Sequence, residues 1–139
     1  MRIEELARQF AGQGVDSRYA GFFVLFNRQQ FYEAHDVLEH LWLPDRQGTN
    51  GNFYKGLIQL AGAFVHLQKD RLQPAMALFK LARKNLELYG PEHERLNVAE
   101  TLVLISEWMG DLEAEDFTVN PMLRRDAPQI NLNRPGGMA

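Results

Sequence analysis

Cysteine is absent from all 139 residues. That excludes disulfides, thiolate metal sites and a cysteine nucleophile, and it fits a reducing compartment. An excess of positive charge is absent too: the net charge is −3 and the isoelectric point is near 5.8. A protein that grips a phosphate backbone needs a basic face, so a nucleic-acid partner is not expected. Long apolar runs are also missing. The longest, residues 56–67, is interrupted by Gln59 and His66 and is too short to span a bilayer. The opening residues, Met1-Arg2-Ile3-Glu4-Glu5, are charged and hold no apolar signal core. These absences lead us to expect a cytoplasmic protein with no membrane partner.

Apolar residues make up 45% of the chain, nine phenylalanines among them, which is ample for one core at this length. Helical periodicity recurs through most of the sequence. We expect an all-α, single-domain helical bundle of about five helices over residues 1–116, with an extended Pro- and Gly-containing tail over 117–139. Residues 2–10 read as a short amphipathic helix closed by Gly12 and Gly14. Asp16 or Ser17 caps a second segment over 18–26, whose Tyr19, Phe22, Phe23, Leu25 and Phe26 supply core. A helix over 53–68 is apolar on two faces and therefore central. Pro74 is placed to open the next helix, which runs to Tyr89 and closes at Gly90 and Pro91. A last helix covers 92–109, and the apolar residues of the tail suggest that it lies partly on the bundle.

Residues 31–42, Phe-Tyr-Glu-Ala-His-Asp-Val-Leu-Glu-His-Leu-Trp, organise the rest. Asn27 and Gln30 have the spacing of a capping box ahead of this helix. Phe31, Ala34, Leu38, Leu41 and Trp42 fall on one arc, while Glu33, Asp36 and His40 fall opposite. His35 and Glu39 sit between the two, at the edge of the apolar arc beside Trp42. A polar pair there is at least partly buried, and burial costs unless the groups find partners. On the 53–68 helix, Lys55, Gln59, Gly62 and His66 form a stripe at offsets of four, three and four. An interior glycine costs about 1 kcal/mol against alanine, so Gly62 is expected to admit a close neighbour or a bound group.

The order of two stretches carries a resemblance. Phe26-Asn27 followed by Ala34-His35-Asp36-Val37-Leu38-Glu39-His40-Leu41-Trp42, and then Gly56-Leu57-Ile58-Gln59, resembles the domain-of-unknown-function family 309. Its marks are an F-N start, an A-H-x-x-L-E-x-x-W helix and a second helix opening with G-L-I-Q. Here the resemblance covers residues 22–89, with Asp36 standing where the motif more often has Glu. It implies a small all-helical domain and no particular activity. The polar positions it carries over are His35, Glu39 and Gln59, with His66 less firmly.

Several chemistries are open to those residues. A buried hydrogen-bond network of His35, Glu39 and Gln59, covered by Trp42, would set the register of two antiparallel helices. A pocket lined by Trp42, Gln59, Gly62 and His66 would take a small molecule of unknown identity. Alternatively His35, Glu39 and His66 would ligate a metal in a hydrolase-like site. The zinc-protease spacing is absent, as is the Glu-x-x-His pair of di-iron bundles. His35-Asp36 echoes the HD phosphohydrolases, but those need an upstream histidine, and none precedes position 35. Metal-free acid–base catalysis lacks a nucleophile, because Ser17 and Ser106 lie outside both motif helices. The cofactor is unknown, and a homo-oligomer is a possible assembly.

Overall fold

A computed structural model describes Glu5, Arg8 and residues 14–134. Apart from Glu5 and Arg8, the helix expected over 2–10 lies outside the described residues, as does the tail beyond 134. Five α-helices follow in order: α1 Ser17–Asn27, α2 Phe31–Trp42, α3 Gly51–Gln68, α4 Leu72–Leu86 and α5 Val98–Ala114. The fold is all-α, and its one sheet among the described residues is a two-stranded hairpin. No helix there is long and apolar enough to cross a membrane.

Phe64 of α3 is where the helices meet. Its ring lies 5.6 Å from Phe26 of α1, 5.0 Å from Phe31 of α2, 5.3 Å from Phe79 of α4 and 4.9 Å from Trp108 of α5. Each helix thus contributes one aromatic to a single cluster, largely edge to face, the arrangement ring quadrupoles favour. All five rings are buried. The expected central place of α3 follows from this, since Phe53, Leu57, Leu60, Ala61 and Leu67 are buried along with Phe64.

Local signals decide where helices begin, and several differ from the sequence reading. Asp16 does cap α1, accepting from the Arg18 amide at 2.8 Å. The Arg18 side chain pairs with the same carboxylate, and its hydrogen bond is the main reason that Asp16 titrates below the usual carboxylate range. Asn27, by contrast, does not cap α2. It ends α1, and its side chain binds the Ile130 backbone at both N–H and C=O, at 2.7 and 3.0 Å. The chain instead enters α2 through Gln29, in the left-handed region at φ 62°, with Gln30 as an N-cap making no side-chain bond. Pro74 stands at the third position of α4, two residues later than expected. It is harmless there because first-turn amides have no helical acceptor.

The largest departure is residues 92–97. Glu92–His93 and Leu96–Asn97 pair as antiparallel strands β1 and β2 across Glu94 and Arg95, whose φ values are 48° and 63°. The helix expected from 92 therefore starts at Val98. Asn97 supplies its cap, accepting from the Glu100 amide at 2.9 Å. Gly110 does not end this helix, which runs on to Ala114. The tail is fastened as well as laid down: Ile130 is buried, and Asn120 donates to the Leu67 carbonyl at 2.6 Å.

Candidate functional site

Helix α3 forms the floor of a groove of about 340 Å³, with α2 and α4 as its walls. Ile58, Gln59, Gly62, Val65 and His66 come from α3, at the three- and four-residue offsets that place side chains on one helical face. Tyr32 and His35 come from the first turns of α2, Leu78 from the first half of α4, and Lys69 caps the far end of α3. The N-terminal half of α2 thus lies beside the C-terminal half of α3, as antiparallel neighbours do. Gln59 and Asn85 show the same for α3 and α4, with Asn85 Nδ2 donating to Gln59 Oε1 at 2.7 Å. Both walls therefore run parallel to each other.

Gly62 has a definite role in this packing. A Cβ there would stand 3.0 Å from Leu78 Cδ1, so the missing side chain lets the α4 wall close in. The close neighbour expected at Gly62 is that leucine.

The histidines are placed unusually. Among the described residues, the buried side-chain nitrogens and oxygens lacking a hydrogen-bond partner are His35 Nδ1, His66 Nδ1 and Trp42 Nε1. All three belong to residues picked out from the sequence. His35 Nδ1 does lie 3.5 Å from Asp36 Oδ1, and its Nε2 lies 3.6 Å from Glu39 Oε2, but neither contact has hydrogen-bond geometry. The Tyr32 ring stacks on His35 with centroids 6.2 Å apart. Burial, followed by the positive charges of Arg71 and Lys69, holds His66 below its ordinary pKa. It is therefore neutral at pH 7. A buried N–H with no acceptor is costlier than a bare lone pair, so the proton belongs on Nε2.

The residues singled out by sequence are only partly gathered. His35, Gln59 and His66 line the groove. Glu39 and Trp42 do not, and the Glu39 carboxylate, expected to be at least partly buried beside Trp42, has a side chain 38% exposed. Gln59 bonds to Asn85 across α3 and α4, while His35 and Glu39 meet within α2 at 3.6 Å. His35, Glu39 and His66 do not assemble as ligands: among the described residues, no three His, Asp or Glu side chains gather closely enough to hold a metal. Tyr32 and Lys69 escaped the sequence reading although each lies three residues from a histidine on the same helical face. Leu78 and Asn85 gave no signal, because their part depends on how α4 docks.

A second, larger cavity of about 570 Å³ lies between α5 and the tail, lined by Asn97, Glu100, Trp108, Arg125 and Ile130 among others. Its size alone does not make it the better candidate, as it contains none of the unpartnered nitrogens.

The family model described as Domain of unknown function (DUF309) matches residues 19–78. Every residue lining the α2–α3–α4 groove falls inside that stretch, and every residue lining the larger cavity falls outside it. No curated protein and no solved structure matches the chain.

Proposed function

Starting from a chain whose residues 19–78 belong to the domain-of-unknown-function family 309, we propose that the α2–α3–α4 groove binds a small molecule with an apolar body and an anionic or hydrogen-bond-accepting head. The carrying observation is the character of the lining. Ile58, Val65 and Leu78 are apolar, Gln59, His66 and Lys69 offer donors, and no carboxylate takes part. In a chain with more acidic than basic residues, that exclusion is a property of the site and not of composition. The volume falls within the usual range for small-ligand pockets, roughly 300–1,000 Å³. Asn85 occupies Gln59 Oε1 and so orients the amide, leaving Nε2 free to donate. His66, protonated at Nε2, adds a neutral donor, and Lys69 a charge at the mouth.

Calorimetric titration with decanoate, decanol and decylamine tests this reading. Decanoate is expected to bind best and decylamine worst, since the Lys69 charge at the mouth attracts an anion and repels a cation. Lys69→Met and Gln59→Leu should each weaken decanoate by about tenfold, equivalent to ~1.4 kcal/mol. Equal binding of all three probes, or no binding of any, would overturn the proposal.

A further inference from the structure

The larger cavity, between α5 and the tail, has a lining of the opposite character to that of the groove. Helix α5 carries four carboxylates, Glu100, Glu107, Asp111 and Glu113, and no basic side chain. The tail answers them at one end of the cavity only. Arg125 binds Asp111 at 2.8 Å and Glu107 at 3.2 Å, with its guanidinium 5.7 Å from the centre of the Trp108 ring. Glu100 in the first turn of α5 and Asp126 on the tail also line the cavity. Neither takes part in an ion pair among the described residues. The chain thus seats one planar cation of its own on this helix and leaves two carboxylates uncompensated.

The neutral polar groups of the lining agree with the charges. Thr101, buried in the cavity wall, donates its one hydroxyl proton to the Asn97 carbonyl at 2.9 Å, so Oγ1 can only accept from a ligand. Gln129 donates from Nε2 to the Asn27 carbonyl at 2.8 Å, which orients its amide and leaves Oε1 to accept. In the groove the corresponding amide, Gln59, has its oxygen taken and its nitrogen left over. Here these donors are spent and the acceptors remain. Leu96, Leu104 and Ile130 supply apolar wall beside Trp108.

We infer that this cavity binds a small molecule with a planar cationic head, an amidinium or a guanidinium, on a compact apolar body. Such a head holds its N–H donors in one plane and meets two carboxylate oxygens at once, which a point charge does not. The volume of about 570 Å³ suits a small ligand. Every lining residue lies outside the stretch 19–78 that the family model matches, so the site is separate from the groove and stands independently of what the groove binds.

Calorimetric titration with benzamidine, benzamide and benzoate is the test, because the three are similar in size and carry positive, zero and negative charge. Benzamidine should bind about tenfold or more tighter than benzamide, and benzoate worst. Glu100→Gln with Asp126→Asn should weaken benzamidine by about tenfold. Glutamine at position 100 keeps the hydrogen-bonding that a capping box uses, so the start of α5 is retained. Lys69→Met should leave benzamidine unchanged. In Trp42→Phe protein Trp108 is the only tryptophan, and its emission should change over the same benzamidine range. Any decylamine that enters this cavity should respond to Glu100→Gln and not to Lys69→Met, which keeps the two sites apart. Benzamide binding as tightly as benzamidine, an undiminished double variant, or an unchanged Trp108 emission would each overturn the inference. Failure of decanoate to bind would leave these results untouched.

Discussion

His93 and His66 are both partly buried imidazoles in contact with helix α3 or part of it, yet they are treated differently. His93, on β1, places Nε2 2.7 Å from Asn50 Oδ1 and packs its ring between Phe53 and Tyr89, at 4.7 and 4.8 Å. The neighbouring groups are equally occupied. Tyr19 donates to the Glu94 carbonyl at 2.8 Å, Tyr89 to that of Thr49 at 2.8 Å, and burial drives the Tyr19 phenol far above its usual pKa. His66 has a buried ring nitrogen without a partner and faces an open groove. The first region is built as a closed polar latch that holds the hairpin to the bundle. The second keeps hydrogen-bonding capacity unspent beside apolar walls, and proteins retain such arrangements where function needs them.

The sharpest way to break this comparison is to remove each ring. His93→Ala loses a hydrogen bond and two aromatic contacts and should cost about 2–3 kcal/mol. His66→Ala should change stability by no more than about 0.5 kcal/mol. Urea unfolding of the two variants decides, and equal losses would show that both sites serve the fold.

Glycines in α3 offer a second contrast. A Cβ on Gly56 would meet Leu86 Cγ at 2.9 Å and Asn85 Cβ at 3.2 Å, within the packed α3–α4 seam. Gly56→Ala should therefore cost about 1–2 kcal/mol through overpacking. Gly62→Ala touches only the end of Leu78, beside open space, and gains up to about 1 kcal/mol of helix propensity. Thermal melts should show opposite signs.

Glu39→Ala is a smaller effect. With that side chain 38% exposed and its His35 contact at 3.6 Å, the expected cost is no more than about 0.5 kcal/mol. A loss several times larger in the same melts would restore the structural role.

The smallest signal is in pH. Because the folded pKa of His66 is lowered, chiefly by burial, the unfolded chain binds more protons near that pKa. Stability from this residue is present above the ordinary imidazole value of 6.5 and falls away as pH drops toward the folded value. His66→Gln should flatten the acid limb of the stability profile between those limits, by a small amount because solvent screens the site. A profile identical to the parent's would remove the titration from the account.

What could be read from the chain alone was local and periodic. The segments 31–42 and 53–68 repeat apolar residues at helical spacing over three turns or more, and burying that surface is the dominant drive whatever surrounds it. His35, Gln59 and His66 were found because helical spacing fixes which residues of one helix share a face. The cap at Asn97 was legible in Asn97-Val98-Ala99-Glu100, but the expected start at 92 passed over it. Asn27 misled for the opposite reason: its spacing fits a cap, while the tail, more than a hundred positions away, takes its side chain.

The sequence by itself determined the helical class, the apolar faces and the acidic, cysteine-free character, because those follow from composition and from neighbours three or four residues apart. Tertiary structure decided which polar groups are paired. Asn85 claims Gln59, Asn50 claims His93, and Ile130 claims Asn27, each across 26 or more positions. A hydrogen bond requires atoms within about 3 Å at a favourable angle, and only the docking of whole helices sets that. The groove with its two unpartnered histidine nitrogens is what remains after those long-range claims are met.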